Sequence, residues 1–493
     1  MIKDCLYMSA IEISRQISIR QLSAFEVVSS HIERASQVNA RINAIVNPYY
    51  ENALAQAKVF DRMGKTEREL FLLLGVPFTV KESIAASGRR HTSGSWYRRH
   101  DIAQENAPAL ARLLKAGAIF LGQTNLSELA LWPECGNVIY GVTANPHNLK
   151  YTSGGSSGGD AAIVSAGGAP FALGTDGGGS VRIPAAHCGV FGHKPSSKRV
   201  PMTGHFPLDN YSRHLPESQF ISRFFSMGLL CRRAEDLLPL LNIISGADGF
   251  DKNIDNSFRQ YPLQKSFRNI KVYLLEQELH YLLSKPDKSI THALCQSAEA
   301  LQKEGAIIAE NSFPFLADAC ELWLDIIATA KNMSLHSIVN QQRSLLLEFI
   351  YIMLGKRRIM PSTLLMLLMD KLISKNKKTY IRFMSIKNKI SARLNHYLDG
   401  NALLLLPTYP TTAIKHGRSF STPFDFLYSG IFNVLELPAT TIPVGLSENG
   451  LPASVQVVAA HGYDHLPISA AAIIERECGG WILPSFDLDT GSV

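Results

Sequence analysis

From Ser153 to Ser180 the chain reads SGGSSGGDAAIVSAGGAPFALGTDGGGS, and ten of these 28 residues are glycine. A flexible linker with that much glycine would be polar throughout. Here Ala161-Ala162-Ile163-Val164 and Pro170-Phe171-Ala172-Leu173 stand between the glycine clusters. Glycines beside apolar runs mark backbone that turns tightly or comes close to a ligand. Ser156, Ser157 and Ser180 sit at the turns. The stretch therefore offers hydroxyls among exposed backbone N–H groups, the raw material of a serine nucleophile.

Working outward, strand-like and helical patterns alternate. Leu74–Val80 reads as a strand ending at Lys81, and Asn106–Gly117 as a helix followed by the strand Ala118–Leu121. Further strands are expected at Ile270–Leu275, Ile307–Glu310, Leu403–Leu406, Thr440–Val444 and Ser454–Val458. Helices are expected over residues 8–36, Ala234–Ile244, Thr291–Lys303, Ala317–Val339 and Leu466–Cys478. Such alternation predicts an α/β fold with a mixed central sheet covered by helices on both faces. With neither repeat nor linker visible, residues 1–493 read as a single large domain, with 341–390 as a helical elaboration.

Composition narrows the function classes. At 46% hydrophobic and 18% charged the chain is an ordinary globular protein. It has no run of about 18–20 apolar residues, so no membrane span is expected. Met1–Ala10 carries Asp4 and lacks an apolar stretch, which argues against a secretory signal or an N-terminal anchor. Seven scattered cysteines without a CxxC pair read as reduced thiols in a cytoplasmic protein, with no metal site. The net charge of +7 is local: residues 341–390 hold eleven Lys/Arg against Glu348 and Asp370, and the remainder is slightly acidic. That is no basis for a nucleic-acid partner.

Two readings of the serines compete. Gly154-Gly155-Ser156-Ser157-Gly158 matches the G-x-S-x-G elbow, but that motif needs a strand before it, and Asn145–Thr152 is a polar, turn-forming run. No phosphate loop fits, since no lysine follows the glycines. The stronger reading puts the nucleophile at Ser180, which closes Gly177-Gly178-Gly179. Consecutive glycine N–H groups can converge on a developing oxyanion. Ser180 would still need a base within hydrogen-bond reach.

Four motifs then carry a resemblance. They are G-V-P-F-T-V-K-E (Gly75–Glu82), G-Q-T-N-x-x-E (Gly122–Glu128), S-G-G-S-S-G-G (Ser153–Gly159) and G-T-D-x-G-G-S (Gly174–Ser180), continuing to R-x-P-A-A-x-C-G-x-x-G-x-K-P (Arg182–Pro195). In this order and spacing the chain resembles the amidase signature family from about residue 10 onward. The resemblance implies the amidase signature fold and a serine hydrolase of carboxylic amides that works through an acyl-enzyme, without a cofactor. It places a Ser–cis-Ser–Lys triad on Ser180, Ser156 and Lys81. It assigns oxyanion and substrate contacts to the backbone of Ala130, Gly177, Gly178 and Gly179, with Asp176, Arg182 and Ser157 as structural supports. A lysine serving as base near neutrality needs its pKa lowered by about 2–3 units, which burial supplies. His187 and His193 lie near Ser180 but read as structural, and His461 with His465 as loop residues. One departure stands out: the family carries a larger residue at position 177, and Gly177 is expected to loosen the oxyanion loop.

The substrate class follows from a second tier of resemblance. Tyr140–Thr152, Phe191–Ser196, Met227–Leu237, Pro423–Phe432 and Gly479–Trp481 resemble the vertebrate fatty acid amide hydrolases, above all the second isoform. Independently, Ser344–Leu354 and Ile359–Met369 are apolar segments of eleven residues each, flanked by Lys356, Arg357, Arg358, Lys371, Lys375, Lys377 and Lys378. Too short to span a bilayer, they suit helices lying in a membrane interface. The plainer reading is a pair of core-facing helices. A lipid amide as substrate, a peripheral membrane contact through residues 344–378 and a homodimer are the partners this implies or allows. A general short-chain or aryl amidase, and a glutamine-hydrolysing amidotransferase subunit with a partner chain, are the rival readings.

Overall fold

A computed structural model of the chain describes residues 2–207, 222–309, 311, 313–329, 344–372 and 377–485. Its frame is one eleven-stranded mixed sheet. In chain order the strands are β1 (Ile45–Pro48), β2 (Pro77–Lys81), β3 (Ile119–Thr124), β4 (Gly136–Asn137), β5 (Gly141–Val142), β6 (Phe171–Asp176), β7 (Phe191–Lys194), β8 (Ser226–Cys231), β9 (Lys271–Leu274), β10 (Ile307–Ala309), β11 (Ala402–Pro407), β12 (Ala439–Leu446) and β13 (Pro452–Val458). The sheet runs β1-β3-β2-β6-β8-β7-β12-β13-β11-β9-β10, and β4–β5 form a separate small hairpin. This single α/β domain has helices on both faces. Strand β11 shows why: Leu403 and Leu405 enter one hydrophobic cluster, while Ala402, Leu404 and Leu406 enter the other. A strand's side chains alternate between faces, so both faces are covered.

Strands β3, β2 and β6 are mutually parallel, with Lys81 in register with Thr124 and Val80 with Leu173. Their carboxyl ends therefore open on one edge, bringing Lys81, Thr124 and Asp176 together. Ligands of open α/β sheets characteristically bind at this edge.

Several expectations need correction. Residues 8–36 form not one helix but two, Ala10–Ser18 and Ala24–Ile42. Arg20 adopts φ 63°, which breaks the first, and a Ser23–Glu26 capping box starts the second. Strands β1, β7 and β8 went unanticipated, as did the helices Gly158–Ser165 and Arg182–Cys188. The helix expected to reach Val339 runs Leu316–Thr329, and residues 330–343 lie outside the described residues. The elaboration comprises helices Leu345–Met353, Pro361–Leu372 and Lys377–Tyr397, so it passes the expected end at 390. No helix among the described residues is long and apolar enough to cross a membrane.

The first two helices of the elaboration dock on the site edge. Leu345, Ile359, Leu364 and Leu367 pack with Leu129 and Phe206 in a small apolar cluster of their own. Glu128, buried, accepts from the Met360 N–H at 2.8 Å and from the Thr363 hydroxyl at 2.5 Å. Tyr97 donates to Glu348 across the same junction. The opposite side faces outward, with Leu346 68% and Met353 71% exposed, and Leu347, Phe349, Ile350, Leu354, Leu365 and Leu368 exposed beside them.

Candidate active site

Lys81 ends β2 with its side chain wholly buried. Its Nζ donates to Ser156 Oγ at 2.6 Å and to Thr175 Oγ1 at 2.9 Å. Burial pulls its pKa below the ordinary lysine value, opposed by the field of Asp160, Cys135 and Asp176. Asp160 is equally buried and accepts from Thr124 Oγ1 at 2.5 Å, and burial pushes its carboxyl upward. Desolvation thus drives both members of this pair towards their neutral forms, and the amine's two hydrogen bonds go to hydroxyls.

Ser156 follows a cis peptide bond, Gly155–Ser156, the isomer that the family resemblance implies. A Cβ on Gly155 would lie 2.5 Å from both Ser127 Oγ and the Trp132 carbonyl, so only glycine fits this close approach. The Ser156 carbonyl accepts from the Ser127 N–H at 3.2 Å. Ser157 donates its N–H to the Ser180 carbonyl at 3.0 Å and its hydroxyl to the Thr175 carbonyl at 3.2 Å. It is the pin between the two serine-bearing turns. No strand precedes Ser156, which starts a turn into the helix Gly158–Ser165, so the elbow geometry is absent.

The glycine loop after β6 hangs on Asp176. Its carboxylate accepts from the Gly179 N–H at 2.7 Å, the Val181 N–H at 3.1 Å, and Arg182 Nε and Nη2, each at 3.0 Å. Arg182 continues to the Ser429 carbonyl, Gln456 and Asn433, and Asn433 returns a bond to Asp176. Burial alone would raise the Asp176 pKa, but the Arg182 guanidinium beside it holds it well below the usual carboxylate range. Every polar atom of this buried ion pair is occupied, the condition under which such a pair is tolerated.

Ser180 is partly exposed, whereas Ser156 and Lys81 are buried. Among the described residues the N–H groups of Gly178 and Ser180 meet no protein acceptor. The Gly179 N–H is taken by Asp176, which corrects the expectation that it faces an oxyanion. Likewise the Ala130 N–H donates to the Ser127 carbonyl at 2.9 Å, leaving only its carbonyl for a ligand. Leu129 and Ala130 both lie in the left-handed region, at φ 56° and 59°, directly after the Glu128 that holds the elaboration. Burial raises the Glu128 carboxyl to about 7, against the bonds from Thr363 and Met360.

Gly177 does not loosen the loop. A Cβ there would lie 2.1 Å from the Phe225 ring, which occupies the space a larger residue would take. Thr175, Asp160, Asn433, Gln456, Phe225 and Trp323 all belong to the site region and were not singled out from sequence. Only Thr175 carried a signal, as the middle residue of the G-T-D motif. His193 is tied to Thr440 and Asp464, and His187 packs edge-on against Tyr409 with both ring nitrogens unpartnered. His461 meets the Glu436 carbonyl, and His465 stacks on Tyr261.

A family model described as Amidase matches residues 26–467, a span that contains every element of this site. The chain belongs to the amidase signature family. As an amidase it hydrolyses amides, cleaving a carbon–nitrogen bond. It is 34% identical to human fatty-acid amide hydrolase 2, over 97% of the chain and 90% of that protein. It is 31% identical to a glutamyl-tRNA(Gln) amidotransferase subunit from Carboxydothermus hydrogenoformans, over 92% of the chain and 94% of the relative. Among solved structures the amidase is similar in fold to a fatty acid amide hydrolase, at TM-score 0.78 and 20% identity over 97% of the chain and 86% of its counterpart. It is equally similar to 6-aminohexanoate cyclic dimer hydrolase, at TM-score 0.78 and 24% identity over 96% and 97% of the two chains.

Proposed function

We propose that this amidase hydrolyses fatty acid amides through an acyl-enzyme, with Ser180 as nucleophile, Ser156 as proton relay and Lys81 as base. The observation that carries the reading is the buried 2.6 Å contact between Lys81 Nζ and Ser156 Oγ, with the Ser180 carbonyl held by the N–H of the neighbouring Ser157 at 3.0 Å. With the amine neutral, that contact runs in reverse and Ser156 donates to Nζ. Ser156 then takes the Ser180 proton as Ser180 Oγ bonds to the amide carbonyl carbon. The free Gly178 and Ser180 N–H groups are suited to hold the oxyanion. As the carbon–nitrogen bond breaks, Ser156 returns a proton to the leaving nitrogen. Water then attacks the Ser180 ester, releasing the acid and restoring the hydroxyl.

Two observations support a lipid acyl group. One is the extent of similarity to a fatty-acid amide hydrolase. The other is the outward apolar face of helices Leu345–Met353 and Pro361–Leu372, joined by a turn bearing Lys356, Arg357 and Arg358. Apolar side chains beside cations suit the acyl boundary and anionic headgroups of a bilayer. Of the flanking cations expected from sequence, Lys375 lies outside the described residues. Attachment of this kind is peripheral, and the elaboration sits over the site edge, where a long acyl chain would enter.

The test is turnover of primary amides from acetamide to oleamide, with Ser180→Ala and Lys81→Ala in parallel. The proposal expects kcat/KM to climb with chain length and both variants to be inactive. A flat or short-chain optimum would instead make it a general amidase. Hydrolysis of glutamine alone would favour an amidotransferase subunit.

A further inference from the structure

We propose that Trp323 is a positioning residue of the oxyanion hole, holding the Gly177–Gly178 peptide so that its N–H stays turned towards the substrate. The inference rests on the proposed role of Ser180 and names a residue outside all the serine, lysine and glycine motifs.

The indole Nε1–H of Trp323 donates to the Gly177 carbonyl at 3.2 Å. In a planar trans peptide, the carbonyl of one residue and the N–H of the next point in opposite directions. Anchoring the Gly177 carbonyl on the indole therefore sends the Gly178 N–H away from it, and that N–H meets no protein acceptor among the described residues. A glycine–glycine peptide has little intrinsic resistance to rotation. Left alone, it could turn its N–H out of the site, whereas stabilising a developing charge requires donors already in place.

The remaining contacts make the anchor firm. A Cβ on Gly178 would stand 3.1 Å from the Trp323 ring, so indole and backbone lie in close contact. The ring meets Phe426 in a T-shaped contact at 4.6 Å and rests on Gly430. Gly430 belongs to the helix Leu427–Val434, whose Ser429 and Asn433 hold Arg182. On the other side, Phe225 fills the space against Gly177. The loop is thus pinned twice, by Asp176 at the Gly179 N–H and by Trp323 at the Gly177 carbonyl. Ring contact from Phe225 and Trp323 replaces the side chain that position 177 lacks.

Trp323→Phe keeps an aromatic ring in the wall and removes the donor. It is expected to lower kcat/KM by about tenfold, the loss of one hydrogen bond's worth of alignment, with the effect in kcat and little change in KM. Affinity for a trifluoromethyl ketone, whose tetrahedral adduct carries the oxyanion, should fall by the same factor. Affinity for the unreactive alcohol of equal chain length should hold. A benzothiophene analogue of the Trp323 indole, matched in shape but without the N–H, should reproduce the effect and covers the case in which the Phe variant folds poorly. An unchanged kcat in either variant, or equal weakening of ketone and alcohol, would make Trp323 a wall residue and overturn the inference while leaving the Ser180 mechanism intact. Wild-type protein whose ketone adduct forms elsewhere than Ser180 would overturn both.

Discussion

Lys81 and Ser156 lie 75 residues apart in sequence, yet Lys81 Nζ donates to Ser156 Oγ at 2.6 Å, with both side chains wholly buried. The contact depends on parallel strands. Strand β2 delivers the lysine and β6 delivers Thr175, its second acceptor, to one edge. Ser157 ties the Ser156 turn to β6 by its hydroxyl. The amine is buried and bonded to two hydroxyls, and burial brings its neutral form within closer reach than in a free lysine, against the field of Asp160, Cys135 and Asp176.

On the proposed mechanism, replacing Lys81 should remove the reaction without removing the fold. Lys81→Met keeps the volume and deletes the amine, and is expected to lower kcat by about 10²–10⁴-fold, the usual contribution of general base catalysis. In the wild type, kcat/KM should rise with pH through a midpoint below the ordinary lysine value of about 10.4, because burial favours the free amine. A pH–rate profile measures both, and a midpoint at or above that value would refute the buried-base assignment.

The Asp176–Arg182 pair bears on stability. Arg182→Ala leaves a buried carboxylate unpaired and should cost about 3–5 kcal/mol in denaturant unfolding. Because the Asp176 pKa is depressed in the fold, its contribution is present above the unfolded value of about 3.9 and is lost as pH falls below it. Asp176→Asn should flatten that acid limb.

Glu128 has the opposite sign. Its folded pKa is raised to about 7, so the stability it contributes is full below the unfolded value of about 4.3 and declines as pH rises through 7. Glu128→Gln can still accept from Met360 and Thr363, and should remove this decline. Melting temperatures across that range test it, and an identical pH slope in both proteins would deny Glu128 the role.

The outward face of the elaboration can be tested apart from catalysis. Leu346→Glu with Met353→Glu should abolish sedimentation with anionic vesicles and lower turnover of long-chain amides, but leave acetamide turnover and melting temperature unchanged. Both residues are exposed, so no core contact is lost. Equal vesicle binding by wild type and variant would remove the membrane reading.

Much of this site was legible because its chemistry lies in short motifs. Gly75–Glu82 reads as a strand delivering a lysine, and Gly174–Ser180 as a glycine run closed by a serine. What stayed hidden depends on contacts between distant segments. Gly158–Ser165 opens with two glycines and Arg182–Cys188 contains Pro184, so helix propensity argued against both. Both helices form because every one of their residues is buried in the fold. Gly177 looked like slack because nothing local shows Phe225 or Trp323 packed against its loop. Glu128 sits in a recognised motif, but its partners Met360 and Thr363 are more than 200 residues away.

The central claim is that Ser180 carries the acyl group. Acid-quenching the protein during oleamide turnover, followed by peptide mapping by mass spectrometry, tests it directly. The account predicts an oleoyl ester on the peptide containing Ser180, absent from Ser180→Ala and strongly reduced in Lys81→Met. An ester on Ser156 or Ser157, or turnover that survives in Ser180→Ala, would contradict it.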